Sequence, residues 1–325
     1  MSIARTDHHV VVIGAGFSGI GISTGLDRAG LSDYLLVEEG HGFGGTWYWN
    51  RYPGVAVDIP SFSYQFSFAQ RTSWSRVYAS GAELLDYAEQ CVTRYGLRDK
   101  VRFGTRITRA TFDEGRHVWR LETNRGDSLS ARPVVDATGV LTVPKSPNID
   151  GIETFAGTTI PTARWDPTQD LRGKRVAVIG TAASAVQVIP AIAPEAEQLT
   201  IFQRTPIYAM GCKRPSFHNE YLATYNRDDV LPETDPIAQI AADGVVTQSG
   251  TVHDVDVLIP ATGFKVFDPG NFPKYPVTGR AAEPAATSSG AGRRTATRHT
   301  RASASPGSRT TSRCSAPPAT TALRT

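Results

Sequence analysis

The sequence predicts an α/β fold of two similar halves, each a three-layer unit around a parallel sheet, followed by a disordered tail. Two glycine-rich turns carry this prediction: residues 14–19 and 180–185 each follow a short apolar strand and precede a helix and a second strand. Short β-branched runs without polar alternation are typical of strands buried in parallel sheets. We therefore expect one domain at residues 1–145, a second at 146–280 and the tail at 281–325.

The first turn reads Gly-Ala-Gly-Phe-Ser-Gly and follows the apolar strand 10–13. In the pattern G-x-G-x-x-G, the first glycine permits a tight turn, the second lets the backbone approach a pyrophosphate, and the third lets the next helix pack on the strand. A helix over residues 17–29 and a strand over 34–37 then deliver an acid that can accept hydrogen bonds from ribose hydroxyls. This order favours a Rossmann-like dinucleotide-binding unit over an ordinary glycine turn, with a site made of Gly14, Gly16, Ser18, Gly19 and Glu38.

An aromatic loop follows at residues 44–54, with two tryptophans and two tyrosines between residues 47 and 52. Such a cluster either closes a local core or stacks on something flat. Directly after a dinucleotide motif, we expect it to face a planar cofactor ring, which adds Gly45, Thr46, Trp47 and Trp49 to the site. Asp58 comes next, and from the pattern alone it could equally be a loop or capping carboxylate.

The rest of the first half alternates between strand and helix patterns. Apolar side chains at every second position over residues 62–68 predict a strand, and a stripe from 84 to 95 predicts a core-facing helix in which Cys91 is a buried small side chain. Further strands are expected at 101–107, 119–121 and 134–135. The small residues at 137–139 would let the chain pass close to a cofactor.

The second half repeats the plan. A strand at 175–179, a helix at 185–192 and a strand at 199–202 surround the second turn, and a last strand at 255–259 leads to Ala-Thr-Gly-Phe, as in a loose internal repeat. Arg204 follows Gly180 at the same offset as Glu38 follows Gly14. An arginine in that place would pair with a 2′-phosphate, which predicts NADPH rather than NADH. The second site is expected to contain Gly180, Thr181, Ser184, Ala185 and Arg204.

Composition narrows the function classes. Residues 281–325 hold seven arginines and one glutamate, so the first 280 residues carry 27 basic and 30 acidic side chains and give no electrostatic argument for nucleic acid. No apolar run approaches the roughly 20 residues of a membrane span, and no signal-peptide core is evident. Three cysteines without a C-x-x-C pair predict a reducing, cytoplasmic location, and no metal site is expected. The tail lacks the apolar side chains that folding needs.

Several motifs together resemble the Baeyer–Villiger-type flavin-containing monooxygenases. They are the loop at 44–54, Phe-Gln-Arg-Thr-Pro at 202–206, Cys-Lys-Arg at 212–214 and Ala-Thr-Gly-Phe at 261–264. The linker signature of that family falls on Phe155, Gly157, Trp165 and Asp166. The resemblance covers about residues 8–280.

This resemblance implies FAD, NADPH and O₂ as reactants, with a C4a-peroxyflavin inserting one oxygen atom next to a ketone carbonyl to give an ester or lactone. By the match, Arg214 is the arginine over the flavin and Asp58 is its carboxylate partner. Arg204 and Lys213 match groups around the 2′-phosphate. The cofactor-binding set also includes Tyr64 and Thr205.

Departures from the family pattern leave other hypotheses open. Pro161 occupies the position of the signature histidine, Ala182 replaces the second glycine of the second turn, and the segment between Pro206 and Cys212 is short. The sequence after residue 280 also replaces further FAD-domain structure, so the chain is expected to be a shortened member. The alternatives are an N- or S-oxygenating flavin monooxygenase and a non-catalytic FAD-binding remnant. The ketone and the oligomeric state are not predicted.

Overall fold

A computed structural model of the chain describes residues 5–204, 220–266, 268, 271 and 273–279. The α-helices in this part are α1 (Phe17–Arg28), α2 (Thr46–Trp49), α3 (Gly81–Arg94), α4 (Ala183–Ile192) and α5 (Tyr221–Thr224). The first eight strands are β1 (Val10–Ile13), β2 (Tyr34–Val37), β3 (Val101–Arg102), β4 (Ile107–Asp113), β5 (Val118–Thr123), β6 (Ser128–Ala131), β7 (Val134–Asp136) and β8 (Thr158–Thr159). The other strands are β9 (Arg175–Ile179), β10 (Gln198–Phe202), β11 (Val230–Glu233), β12 (Ile237–Ile240), β13 (Gly244–Thr247), β14 (Val252–Asp254), β15 (Val257–Pro260) and β16 (Val277–Thr278).

The two halves share one topology. The first contains a parallel sheet in the order β3-β2-β1-β7, and the second contains a parallel sheet in the order β11-β10-β9-β15, extended by β8. In each half, a helix follows the first strand of the repeat: α1 follows β1, and α4 follows β9. Three antiparallel strands then precede the last strand of the repeat: β4–β6 precede β7, and β12–β14 precede β15. The internal repeat predicted from the two glycine turns is therefore present in the order of the strands.

Each parallel sheet lies between a helical layer and an antiparallel sheet. One face of the first sheet packs with α1 and α3, and its other face, through Val11, Ile13 and Val37, packs on β4–β6. In the second half, α4 covers one face, while Ala177 and Leu258 pack on the sheet of β12–β14. The predicted three layers are present, but sequence analysis did not identify the antiparallel sheet of the second half.

The segment at 62–68 corrects a prediction, because it is not a strand. Residues 61–63 form a 3₁₀ turn, and Phe62 is 65% exposed. The backbone N–H of Phe66 donates to the Tyr87 hydroxyl at 2.8 Å instead of to a neighbouring strand, and its ring stacks on Phe68 at 4.9 Å. The alternation of aromatics here reflects packing on α1 and α3 by irregular backbone.

Other predicted boundaries need smaller corrections. Helix α4 begins two residues before the predicted start, and the strand predicted at 255–259 is β15, which begins at Val257. Asp256 precedes that strand, and its carboxylate binds the Arg175 guanidinium and backbone N–H. Cys91 is a free thiol, 3% exposed, in the core as predicted. The predicted tail lies outside the described residues.

Two connections cross between the halves side by side. The segment leaving the first half pairs with the segment returning from the second, with Lys145 N–H bonded to Gly263 O at 2.9 Å and Lys265 N–H to Val143 O at 3.1 Å. The segment that returns to the first half then forms β16, which pairs in parallel with β4. The described residues of both halves belong to one compact unit. None of the helices in the described ranges has the length and apolar character needed to cross a membrane.

Candidate functional site: two nucleotide cavities

The first cavity lies over the N-terminus of α1 and has a volume of about 290 Å³. At its base, Gly14 has a φ of +105°, and a Cβ there would lie 2.6 Å from the Ala137 carbonyl oxygen. Its N–H bonds to Val37 O at 2.8 Å, which fixes the turn against β2. No side chain caps the helix, so the unpaired N–H groups of its first turn are available to an anion. This cradle fits the diphosphate of a dinucleotide.

Glu38 lies directly after β2 and is 7% exposed. One carboxylate oxygen accepts from Ala15 N–H at 2.7 Å and the other from Gly40 N–H at 2.8 Å. Burial raises the pKa of Glu38, and the two backbone hydrogen bonds oppose that rise. Since a carboxylate oxygen can accept more than one hydrogen bond, Glu38 can bind ribose hydroxyls while it holds the glycine turn.

Aromatic side chains form another wall of the first cavity. The Trp47 indole donates to the Tyr64 hydroxyl at 3.2 Å, and the two rings meet edge to face at 5.6 Å. Trp49 lies edge to face with Tyr48 at 4.9 Å and carries the Arg164 guanidinium 4.5 Å from its ring centre. Tyr52 differs from these residues, because it is buried in the core of the second half. The aromatic loop thus serves both a cavity and a core.

A second cavity of about 710 Å³ lies over the N-terminus of α4. Its turn copies the first: Gly180 has a φ of +104° and its N–H bonds to Phe202 O at 3.1 Å. The residue that caps α4 is Ala182, with φ −79° and ψ −169°, where Gly16 caps α1 with φ −77° and ψ −168°. The two backbones are superimposable in conformation, and the methyl group of Ala182 is the difference between them.

The equivalence of Glu38 and Arg204 by sequence offset is wrong. Gly14 bonds to Val37 at the end of β2, and Gly180 bonds to Phe202 at the end of β10, so Gln203 occupies the place of Glu38. The path from glycine to strand end is one residue shorter in the second half, which makes the equal offset a coincidence. Gln203 Nε2 lies 3.5 Å from Thr181 Oγ1, and Arg204 is exposed at the edge of the second cavity.

The structure brings most of the predicted residues to the two cavities. Those that line the first are Gly14, Gly16, Ser18, Glu38, Gly45, Thr46, Trp47, Trp49 and Tyr64. Those that line the second are Gly180, Thr181 and Arg204. Thr205, Lys213 and Arg214 lie outside the described residues.

Four predicted residues do not line either cavity. Gly19 packs against the turn, because a Cβ there would lie 1.9 Å from the Gly14 carbonyl oxygen. Ala185 is buried in the core of the second half, and the Ser184 side chain bonds to Tyr52. Asp58 is exposed, and its charge adds to the effect of burial in raising the pKa of both Tyr64 and Tyr52.

Sequence analysis missed residues that reach the first cavity from other parts of the chain. Arg164 comes from the linker and Lys274 from the returning segment, and both contact Thr142. Arg106 lines the same cavity and pairs with Glu39 at 3.5 Å. No local pattern marks these positions, because each side chain joins the site through the path of the chain between the halves.

One glutamine joins the two halves. Gln187, on α4, accepts from the Tyr52 hydroxyl at 2.8 Å and donates to Ala56 O at 2.9 Å. Gly54 is held against the same helix, because a Cβ there would lie 2.4 Å from Gln187 O. The loop between the aromatic residues and Asp58 is therefore attached to the helix of the second cavity.

Comparison with known proteins places this arrangement in a family. The model of the family described as "pyridine nucleotide-disulphide oxidoreductase" matches residues 11–267. The chain belongs to this family. A "Baeyer-Villiger monooxygenase" of Streptomyces coelicolor is 45% identical over 201 residues, covering 62% of this chain and 38% of the relative. Another, from Pseudomonas aeruginosa, is 42% identical over 197 residues, covering 61% of this chain and 37% of the relative. The chain thus spans under two-fifths of the length of these curated relatives.

Solved structures agree with the fold. Cyclohexanone monooxygenase from Rhodococcus sp. Phi1, bound to NADP⁺, matches with a TM-score of 0.77 and 30% identity, covering 85% of this chain and 74% of that one. The complex of OTEMO with FAD and NADP matches with a TM-score of 0.78 and 25% identity, covering 86% and 75%. The predicted fold class and the resemblance to Baeyer–Villiger monooxygenases are confirmed.

Proposed function

We propose that the chain is an FAD- and NADPH-dependent monooxygenase that inserts one oxygen atom from O₂ next to a ketone carbonyl. The observation that carries this proposal is the repeated turn: Gly14 and Gly180 have φ values of +105° and +104°, and each lies under a cavity at the start of a helix. Two such cradles in one unit suit two dinucleotides. The relatives named Baeyer–Villiger monooxygenase supply the reaction class.

FAD is assigned to the first cavity. Bound there, it would supply the transfer of electrons from NADPH to O₂, which side chains cannot perform. The first turn of α1 would bind the diphosphate, and Glu38 would orient the ribose through its hydroxyls. Trp47, fixed by its hydrogen bond to Tyr64, gives a rigid flat wall and excludes water from that side of the cavity.

NADPH is assigned to the second cavity, where the first turn of α4 would bind its diphosphate. Arg204 is proposed for the 2′-phosphate on the strength of its exposed position at the cavity edge, although it does not occupy the slot of Glu38. Lys213 is proposed beside the 2′-phosphate, and Thr205 as a cofactor-binding residue, through the resemblance alone. By the same resemblance, Arg214 and Asp58 are proposed as the catalytic pair, the cation stabilising negative charge on oxygen and the carboxylate orienting it.

The proposed partners are a small ketone and O₂, and the proposed location is the cytoplasm. The proposed division is at residue 145, between FAD-binding and NADPH-binding domains. Oxygen insertion beside a carbonyl is preferred to N- or S-oxygenation because the relatives include a "Polycyclic ketone monooxygenase" and a "Ketocytochalasin monooxygenase".

The test is product analysis with purified protein, FAD, NADPH and ¹⁸O₂. A cyclic ketone, a thioether and a tertiary amine are supplied in parallel. The proposal expects a lactone that carries one ¹⁸O atom. Formation of a sulfoxide or N-oxide without lactone would instead indicate an N- or S-oxygenating flavin monooxygenase. Bound FAD that NADPH does not reduce would indicate a non-catalytic FAD-binding protein.

A further inference from the structure

The first cavity contains a half-buried lysine that the proposed reaction does not use. Lys274 comes from the segment that returns from the second half, between Asn271 and β16. Its ammonium group donates to Thr138 O at 3.2 Å and to the Thr142 hydroxyl. Thr138 belongs to the turn that lies against Gly14, so the lysine is held at the base of the nucleotide cradle.

The surroundings of Lys274 are rich in carboxylates. Burial lowers the pKa of Lys274, while the charges of Glu39, Glu38 and Asp136 raise it and that of Arg164 lowers it. Glu39 also pairs with Arg106, whereas the hydrogen bonds of the Glu38 carboxylate within the described residues come from the backbone N–H groups of Ala15 and Gly40. A dianionic diphosphate entering this cavity therefore meets buried negative charge, which costs more in a desolvated site than in water.

Arg106 and Arg164 also line the first cavity, but both are exposed, and Arg106 is paired with Glu39. The Arg164 guanidinium donates to Thr142 O at 2.7 Å and rests on the Trp49 ring. Because Arg164 is an exposed residue and Lys274 is half-buried, solvent screens the arginine more strongly. Lys274 is therefore the less solvent-screened of these two cations.

We propose that Lys274 is a binding residue of the first cavity, whose positive charge offsets Glu38 and Glu39 and so permits a ligand with a diphosphate group to bind. This inference rests on the proposed FAD site and adds a residue to it. An ammonium group has three donors, and two are used by Thr138 and Thr142, which leaves one for a ligand. The lysine would thus both hold the Ala-Thr-Gly turn and attract the anion.

The experiment compares Lys274→Gln and Lys274→Arg with the wild type and with Lys265→Gln. Glutamine keeps a hydrogen-bond donor without the charge, arginine keeps the charge, and Lys265 is an exposed lysine of the same segment outside the first cavity. Dissociation constants of apo-protein for FAD, ADP and riboflavin are measured by fluorescence at about 0.05 M and about 0.5 M salt. Unfolding without nucleotide is measured for each variant.

Lys274→Gln is expected to weaken FAD and ADP binding about ten-fold and to flatten the salt dependence of both, as loss of one charge contact implies. Riboflavin, which has no phosphate, should bind as before, and Lys274→Arg should retain most of the affinity. Equal losses for ADP and riboflavin, or unchanged ADP binding, would overturn the inference while leaving the FAD site intact. Should Lys274→Gln fail to fold, weak ADP binding with normal unfolding in Lys274→Arg would also overturn it, because that variant keeps the charge. Wild type that binds neither FAD nor ADP would overturn the proposed function as well.

Discussion

Glu38 holds the first nucleotide turn with both of its carboxylate oxygens, so its ionisation is coupled to folding. Burial raises its pKa in the folded chain above the ordinary value of 4.5. A raised acid pKa means that the folded state favours the protonated form. The stabilising contribution is therefore complete below the unfolded pKa and is lost as the pH rises through the folded pKa.

We predict that apo wild type loses stability relative to Glu38→Gln as the pH rises from about 4.5 toward neutrality. The variant cannot ionise at this position, and the backbone hydrogen bond that it loses costs a similar amount at every pH. Urea denaturation of both proteins across that range gives the difference directly. A difference that stays constant or moves in the other direction would contradict the assigned burial effect.

Gly14→Ala should destabilise the chain by about 2 kcal/mol or more, because the new Cβ would meet Ala137 O at a backbone φ of +105°. Gly25→Ala is the matched control: that glycine lies in α1 with open space around it, so alanine should stabilise the helix by about 0.5–1 kcal/mol. Denaturant midpoints and slopes measure both. Similar effects of the two changes would refute the close approach at Gly14.

Residues of the first cavity could be predicted from the sequence where a local rule applies to them. The three glycines and Glu38 follow from the strand, turn, helix and strand order, since each role depends on backbone geometry a few residues away. Lys274 and Arg164 could not be predicted, because they reach the cavity from segments more than a hundred residues from Glu38. The sequence offset between glycine and charged residue also gave a wrong equivalence for Arg204. The path from the glycine to the end of the second strand is one residue shorter in the second half, so Gln203 corresponds to Glu38.

Helix α4 contributes both to the second cavity and to the contact between the halves. Its first turn faces that cavity, and Gln187 fixes the loop before Asp58. We predict that Gln187→Ala destabilises the chain by about 1–3 kcal/mol, since it removes one hydrogen-bond partner from the Tyr52 hydroxyl and one from the Ala56 carbonyl, both partly buried. Gln90→Ala, on the exposed face of α3, is the control and should change stability by under about 0.5 kcal/mol. Urea unfolding followed by tryptophan fluorescence makes the comparison, and equal effects would argue against the attachment.

The residue that caps α4, Ala182, lines the second cavity, where we propose that NADPH binds. Ala182 has the backbone conformation of Gly16, so Ala182→Gly removes a methyl group from the cavity lining while the turn can keep its conformation. We predict that the dissociation constant for NADPH falls about five-fold, which corresponds to roughly 1 kcal/mol.

Ala183→Gly, one residue into the helix, is the control and should leave NADPH binding unchanged or weaker. Both variants are compared with wild type by NADPH fluorescence titration. If Ala182→Gly binds NADPH no better than wild type, the methyl group of Ala182 does not hinder the approach of the diphosphate.

Elements with strong local patterns were predicted well, and those that depend on tertiary partners were not. Strands β1, β2 and β9 match their predicted ranges, because each is a short and mainly apolar run next to a turn. The segment at 62–68 has a strand-like alternation but takes its hydrogen bonds from side chains such as Tyr87. Alternation reports which side chains are buried, and it does not report where the backbone N–H groups find acceptors.

At the scale of the molecule, the halves are joined by two paired connections and by the docking of Gln187. The chain passes from the first half to the second and returns to complete the first cavity with Lys274 and Tyr275. Each cavity therefore depends on residues or contacts from outside its own half. That dependence explains why the repeat, but not the full site, could be predicted from the sequence.

We propose that the first cavity holds FAD and that the second holds the NADPH that reduces it. The most direct measurement is the flavin absorbance spectrum of the FAD-loaded protein during anaerobic titration with NADPH. We predict loss of the flavin band near equimolar NADPH, its recovery on admission of air, and a weaker response with NADH. Protein that folds normally but retains no FAD through gel filtration, or holds FAD that NADPH leaves oxidised, would contradict this proposal.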